Sequence, residues 1–155
     1  MPTYWLMKSE PTEFSFDDLR HSPKSTSEWD GVRNYQARNN MRSMRPGDRI
    51  LFYHSSTKPQ AVVGTATVVK PAYPDPTQWD AKNKHYDPSS TTDNPRWIMV
   101  DIKADKPLPK PVTLETIKKM PGLENMALVR TGRLSVQPVA AREWEIIMEL
   151  GGAKP

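Results

Sequence analysis

The side chains with the most evident chemistry in this 155-residue chain are arginines that lie close together. Residues 33–49 contain five arginines, and Asp48 is the one acid among them. Arg38, Arg42 and Arg45 recur at helical spacing, which places their guanidinium groups on one face. Such a row suits contacts with the phosphates of a nucleic acid. A solvated helix face explains the same charges equally simply.

Aromatic and amide side chains stand next to these arginines. Of the five tryptophans, Trp29 and Trp79 fall in predicted loops, whereas Trp97 and Trp144 lie in apolar patterns typical of a core and Trp5 fits either interpretation. Trp29 is followed by Gly31 at the approach to the helix, so its ring could stack on a flat ligand. Asn34 and Asn39 add donors and acceptors able to read the edge of a base. The alternative for Trp29 is an ordinary core tryptophan.

Catalytic signatures are almost absent from the sequence. The three histidines lack metal-ligand spacing, and there is no glycine-rich phosphate loop or nucleophile elbow. His54 beside Ser55 could act as a base with a nucleophile, and Lys8 could be a desolvated amine. A hydrogen-bonded histidine and a solvated lysine are the simpler interpretations. We therefore expect no metal, no cofactor and no catalysis.

Composition narrows the class of protein further. The chain has no cysteine, which excludes disulfides and thiolate metal sites and leaves the cytoplasm as the default compartment. Its net charge of +4 and pI near 9.3 are compatible with a polyanionic partner. The longest weakly polar run, residues 61–69, is far shorter than the roughly 20 residues that cross a bilayer. We expect a protein that neither enters a membrane nor carries a signal peptide.

Sixteen prolines against seven glycines favour many short elements joined by stiff turns. A capping box at Ser15 and Asp18 predicts a short helix, and Gly64 predicts a bulge or a close backbone approach. The predicted strands cover residues 3–8, 49–54, 60–70, 96–104 and 135–139. The predicted helices cover residues 16–21, 34–45, 114–120 and 140–150. Loops are expected at 24–27 and 71–95, with an extended spacer at 106–111, which together indicate an α+β fold built on a small barrel.

Several motifs resemble the EVE domain family, in the same order along the chain. They are YWLMKSEP at 4–11, WDGVRNYQARNNMR at 29–42, FYHSS at 52–56, NPRWIMVDI at 94–102 and GRLSVQPV at 132–139. The resemblance spans nearly the whole chain and implies one domain over residues 1–155. It also implies a PUA-like fold, a twisted β-barrel of about five or six strands with short flanking helices, related to the YTH, ASCH and PUA domains.

The same resemblance implies a monomeric, non-catalytic module that reads a modified nucleobase. YTH relatives hold N6-methyladenine of RNA between aromatic rings, and EVE proteins are associated with modified cytosines in DNA. Such a site extrudes the base, stacks it on a ring and bonds its Watson–Crick edge. Two other functions stay open: a hydrolase or nuclease like some ASCH relatives, using Lys8, Tyr53 and His54, and a sensor of free nucleobases or nucleosides.

Matching the motifs position by position implies a set of site residues. Trp29 is the first aromatic wall, and Trp79 or Tyr86 is the second. Phosphate contacts fall to Arg38, Arg42 and Arg45. The implied base pocket comprises Lys8, Ser9, Trp29, Gly31, Val32, Arg33, Asn34, Tyr35, Asn39, Tyr53, His54, Ser55, Trp79, Ser135 and Pro138.

Overall fold

A computed structural model describes residues 2–154 as a mixed sheet with short helices on both faces. The strands are β1 (Tyr4–Ser9), β2 (Thr26–Glu28), β3 (Arg49–His54), β4 (Ala61–Pro74), β5 (Ile98–Thr113) and β6 (Val136–Val139). The helices are α1 (Phe16–His21), α2 (Tyr35–Ser43), α3 (Leu114–Lys119), α4 (Ala127–Arg130) and α5 (Ala141–Leu150). Two 3₁₀ turns, Pro23–Ser25 and Pro76–Trp79, precede β2 and follow β4.

The six strands are hydrogen-bonded in the order β2-β5-β4-β3-β1-β6. Only β1 and β3 run parallel, and every other neighbouring pair is antiparallel. The long strands β4 and β5 carry several register shifts, and such irregularities bend and twist a sheet. The α+β class and the strand number agree with the prediction, while β2 and β6 form two open edges.

Side chains alternate between two cores on opposite faces of the sheet. Along β1, Trp5 and Met7 enter one core while Leu6 enters the other, as the two-residue period of a strand requires. The first core also contains the apolar faces of α1 and α2. The second core is covered by α3, α4 and α5. Helices α1 and α2 therefore cover one face of the sheet, and helices α3, α4 and α5 cover the opposite face.

Local sequence accounts for the two helices near the first core. The hydroxyl of Ser15 accepts from the Asp18 amide at 3.0 Å, and the Asp18 carboxylate accepts from the Ser15 amide at 2.8 Å, which completes the predicted capping box. The Asn34 side chain caps α2 by accepting from the Ala37 amide at 2.9 Å. The register shifts beside Gly64 confirm the predicted bulge. Its close neighbour is the Phe16 ring rather than another backbone, and this ring occupies the space where a Cβ at position 64 would stand.

Three predicted segments need correction, and one helix was missed. Residues 24–27 contain a 3₁₀ turn and the start of β2 rather than a plain loop, and β4 continues to Pro74 into the predicted long loop. The predicted spacer at 106–111 is part of β5. Its alternating prolines are tolerated because the β4–β5 register passes from Gly64–Pro107 to Val62–Val112, so residues 108–111 form a bulge outside the regular ladder. Helix α4 was not predicted, since its four residues are too few for a helical period to emerge.

Helix α2 is shorter than its sequence pattern suggests. It ends at Ser43, and Met44 serves as the C-cap. Arg45 precedes Pro46, and a residue before proline is disfavoured in helical conformation. Arg45 therefore lies just beyond the helix on which the spacing placed it.

Candidate functional site

A cleft of about 580 Å³ opens where β1, β2 and the approach to α2 meet. It lies on the α1 and α2 side of the sheet and is wide enough to take a ligand of nucleobase size. Both apolar and charged side chains line it. The lining residues are Lys8, Ser9, Glu10, Glu13, Phe14, Ser27, Glu28, Trp29, Asp30, Gly31, Val32, Arg33, Lys84, His85 and Ser135.

Trp29 forms a rigid aromatic wall of the cleft. Its side chain is only 8 % exposed, and its amide donates to the Val100 carbonyl at 2.7 Å. Its ring meets Phe52 edge to face at a centroid separation of 5.5 Å and Phe14 at 6.3 Å. Edge-to-face packing on two rings fixes the orientation of the indole. Trp29 is thus both a core residue and a cleft residue, so the core interpretation and the ligand-stacking interpretation of its sequence position are compatible.

Gly31 makes the turn beside this wall. Its φ of +79° is a left-handed conformation that favours glycine, and the His85 ring lies where a Cβ would project. The Gly31 amide donates to Oδ2 of buried Asp75 at 2.8 Å. Burial alone raises the pKa of the Asp75 carboxyl, but hydrogen bonds from Thr77, Gly31 and Arg33 outweigh burial and lower the pKa. An ionised, fully buried carboxylate therefore holds the turn.

Arg33 ties the loop between β4 and β5 to the cleft. Its Nη1 bonds Asp75 Oδ2 at 3.1 Å, its Nε donates to the His85 carbonyl at 2.8 Å and its Nη2 donates to the Thr77 hydroxyl at 2.9 Å. The guanidinium also lies 5.4 Å from the centroid of the Trp97 ring. With these contacts made, the main role of Arg33 is to position other cleft residues.

The rim of the cleft carries charges of both signs. Lys8 Nζ donates to the Gly132 carbonyl at 2.5 Å, and burial lowers the pKa of this lysine. On the other side, burial together with the carboxylates of Asp75 and Glu28 raises the pKa of Asp30. Two further acids are engaged, Glu13 with Lys84 at 3.2 Å and Glu10 with the Ser56 hydroxyl at 3.3 Å.

Seven of the residues implied by the resemblance line the cleft, and the others lie outside its lining. Those inside are Lys8, Ser9, Trp29, Gly31, Val32, Arg33 and Ser135. Asn34 caps α2, Ser55 bonds through its amide to the Ser9 carbonyl, and exposed Pro138 pairs with Trp5 in the β1–β6 register. Trp79 and Tyr86 do not line the cleft either; Phe14 and His85 provide the other rings there.

Tyr53 and His54 are placed by the alternation of β3. Tyr53 faces the second core, where burial raises its pKa to about 12 and its hydroxyl donates to Gln60 Oε1 at 3.1 Å. His54 Nε2 accepts from the Phe16 amide at 3.0 Å, and burial lowers the pKa of His54 despite the nearby Asp17 carboxylate. His54 is therefore a neutral acceptor at the start of α1.

An arginine face, formed by half-buried Arg38 and exposed Arg42 and Arg45, lies on and just after α2. The Arg38 guanidinium stands 4.8 Å from the centroid of Tyr35, whose ring stacks on Trp97 at 4.9 Å. Arg38 also donates to Asn39 Oδ1 at 2.9 Å. Because Arg33 lies over Trp97, a ladder of alternating rings and guanidinium groups connects the cleft to this face.

Sequence reasoning did not find Phe14, Asp30, His85 or Asp75. Asp30 stands inside the Trp29–Gly31 motif, so the motif could have suggested it. Asp75 and His85 lie in an aperiodic segment, and only the folded chain brings them to residue 31. Within residues 2–154 no group of three histidines or acids is placed to hold a metal ion. No helix in that range has the length and apolarity needed to span a membrane.

Comparison with known proteins identifies the class of this fold and cleft. A family model described as EVE domain matches residues 3–150, and the chain belongs to the EVE domain family. A structure of an ASCH protein from Zymomonas mobilis shares 12 % sequence identity at a TM-score of 0.58, covering 96 % of this chain and 95 % of that one. That likeness concerns the fold alone and agrees with the predicted kinship of EVE and ASCH domains.

Particular relatives are much more similar. Thymocyte nuclear protein 1 of Mus musculus is 44 % identical over an alignment of 172 positions, which covers 100 % of this chain and 76 % of the mouse protein. A hypothetical protein from Leishmania major has a structure with 48 % identity and a TM-score of 0.93, covering 98 % of this chain and 96 % of that one. Human THYN1, solved in complex with DNA containing 5-methylcytosine, has 42 % identity and a TM-score of 0.93, covering 99 % of each chain.

Proposed function

We propose that this protein is a non-catalytic reader of DNA that carries a modified cytosine, with 5-methylcytosine as the first candidate. The observation that carries the proposal is the match to human THYN1, which was solved with DNA containing that base and aligns over 99 % of this chain. The cleft adds a physical reason. A base turned out of the helix needs a flat apolar wall, and Trp29 provides one that is already fixed by Phe14 and Phe52.

The arginine face completes the proposed interface. Arg38 is linked to the cleft residue Arg33 through the rings of Tyr35 and Trp97, and Arg42 and Arg45, which follow it in the chain, are exposed. Phosphate contacts from such residues position a nucleic acid without reading its sequence. In this arrangement the backbone of the DNA follows the arginine face while one base enters the cleft.

Of the three residues considered for catalysis, Lys8 alone lines the cleft. The Lys8 amine is bonded to the Gly132 carbonyl, Tyr53 faces the second core, and the free nitrogen acceptor of His54 is used by the Phe16 amide. A base and a nucleophile sharing one substrate would need to converge on the same space. This dispersal favours binding over turnover.

The test is a binding titration with short DNA strands containing cytosine, 5-methylcytosine or 5-hydroxymethylcytosine at one position, and an RNA strand containing N6-methyladenine. We expect the tightest binding to a strand with a modified cytosine, affinity that falls with salt, and loss of the preference in Trp29→Ala. The matched control is Tyr86→Ala, which removes an aromatic ring 43 % exposed outside the cleft. Circular dichroism verifies that both variants fold.

Two outcomes would contradict the proposal. Equal affinity for modified and unmodified strands would show that the protein does not recognise a modified base. Binding of free 5-methylcytidine that is as tight as binding of the strand, and indifferent to salt, indicates a nucleoside sensor, because phosphate contacts make affinity salt-dependent.

A further inference from the structure

A reader of 5-methylcytosine in DNA has to reject thymine, which carries the same 5-methyl group. Apolar contact with the methyl group cannot separate the two bases. They differ at position 4 of the ring, where cytosine has an amino group that donates and thymine has a carbonyl oxygen that accepts. The cleft therefore needs a hydrogen-bond acceptor fixed opposite that position.

Asp30 is an acceptor held in place from both sides. It lines the cleft between Trp29 and Gly31. The Trp29 amide is bonded to the Val100 carbonyl at 2.7 Å, and the Gly31 amide is bonded to Asp75 at 2.8 Å. With the backbone bonded on each side, the carboxylate starts from a fixed point next to the aromatic wall.

The Asp30 carboxylate is also available to a ligand. Asp30 is exposed, and the one hydrogen bond recorded for its carboxylate within residues 2–154 comes from its own backbone amide. Glu13 and Glu10, the acids across the cleft, are engaged by Lys84 and Ser56. The remaining lone pairs of the Asp30 carboxylate can accept from a donor on a ligand, which gains a charge-assisted hydrogen bond.

The surroundings of Asp30 increase that gain. Partial burial and the carboxylates of Asp75 and Glu28 raise the pKa of Asp30, and the nearby His85 offsets them only in part. Water still reaches this exposed carboxylate, but the neighbouring acids disfavour its charged form. A donor brought by a bound base would supply the missing stabilisation.

We propose that the Asp30 carboxylate accepts a hydrogen bond from the 4-amino group of the modified cytosine and excludes thymine through repulsion of its O4 atom. The inference rests on the proposed function and names the residue that gives it specificity. A single well-placed polar contact to a base edge separates right from wrong bases by about tenfold or more.

The experiment compares two DNA strands that differ only in having 5-methylcytosine or thymine at one position. Wild-type protein is expected to prefer the 5-methylcytosine strand by about tenfold or more. In Asp30→Asn the preference should fall to about twofold or less, because a rotated amide donates to O4 of thymine as readily as it accepts from the amino group of cytosine. The control Asp93→Asn makes the same change at an exposed carboxylate that does not line the cleft and should keep the wild-type ratio.

The preference of the variant is divided by the preference of the wild-type protein. Because the free energy of extruding each base is a property of the DNA, it cancels in this quotient, which then reports the contribution of the Asp30 contact. A wild-type preference that persists in Asp30→Asn overturns the role of Asp30 while leaving the proposed function intact. Loss of preference in Asp93→Asn as well overturns the assignment to Asp30. Wild-type protein that binds neither strand contradicts the proposed function, and the role of Asp30 falls with it.

Discussion

Individual residues around Gly31 determine the shape of the cleft. The positive φ of Gly31, its bond to Asp75 and the adjacent His85 ring converge on one turn. Arg33 completes the arrangement by bonding Asp75 and the His85 carbonyl. A small change at any of these residues should therefore affect both stability and ligand binding.

Gly31→Ala is expected to destabilise the protein by about 1–3 kcal/mol, because alanine is strained at this φ and its Cβ would meet the His85 ring. Affinity for the preferred DNA strand should fall with it. Denaturant unfolding and the binding titration measure the two effects. Gly132→Ala is the matched control, since that glycine has no positive φ and open space around it. Equal stability of the two variants would contradict the role assigned to the Gly31 turn.

Asp75→Asn should destabilise the protein by about 3 kcal/mol at pH 7, because it removes the buried charge that pairs with Arg33. The pKa of Asp75 is lowered in the folded state, so the contribution is complete above the unfolded value of about 3.9. It is lost as pH falls through the lower folded value. Denaturant unfolding between pH 2 and pH 7 should show the two proteins converging in acid.

A difference that stays constant down to the lowest pH would contradict a role for the ionised Asp75 carboxylate. The control is Asp17→Asn, which alters an exposed ion pair with Arg20 at 3.1 Å. Surface pairs of this kind contribute about 0–1 kcal/mol, so this variant should remain close to wild type.

At the scale of elements, α2 and the loop between β4 and β5 act as one unit. Tyr35 at the start of α2 stacks on Trp97 near the start of β5, with Arg33 and Arg38 at the ends of the ladder. The loop is also bonded internally, for example through Gln78 to the Trp97 carbonyl at 2.8 Å. The cleft and the arginine face are therefore held in a fixed relation to each other.

The double variant Arg42→Ala/Arg45→Ala should weaken DNA binding by a similar factor for every strand, because phosphate contacts carry no sequence information. The slope of log affinity against log salt should become shallower by about 0.9 for each phosphate that the variant no longer neutralises. Titrations at three salt concentrations measure it. Arg142→Ala, on α5 at the opposite face of the sheet, should leave the slope unchanged; a slope shared by all three proteins would contradict the proposed phosphate contacts.

Elements with a strong local signal were predictable from the sequence. The capping box at Ser15 sets the start of α1, and the apolar spacing of Ala37 and Met41 marks the buried side of α2. Trp29 was found through its position between a loop and a helix. Local signals could not show which residues far apart in the sequence meet in the fold. Asp75 and His85 contact Gly31 although each lies more than forty residues away from it in the sequence. Tyr53 shows the converse, because strand alternation turns a residue of a cleft motif toward the other core.

The whole molecule separates its tasks between the two faces of the sheet. The face that carries α3, α4 and α5 is a closed apolar core, whereas the cleft and the arginine face lie on the side of α1 and α2. The net charge of +4 is unevenly spread, with arginines on α2 and acids at the rim of the cleft. In the proposed interface, such a distribution would direct the phosphate backbone to the arginines and leave the acids to meet amino groups of a base.

This separation makes the tryptophans natural reporters of where a ligand binds. Trp29 is a wall of the cleft, while Trp144 is 1 % exposed in the second core. The spectrum of a Trp29→Phe variant assigns the indole signal of Trp29 in a ¹⁵N–¹H correlation experiment, and that of Trp144→Phe assigns the internal control.

The most direct measurement is the shift of these two indole signals when the protein is titrated with a DNA strand containing 5-methylcytosine. Entry of the modified base into the cleft predicts a large shift of the Trp29 signal, a smaller one with the unmodified strand, and no shift of the Trp144 signal. A Trp29 signal that stays in place while the strand is bound would contradict the central claim that the cleft receives the base.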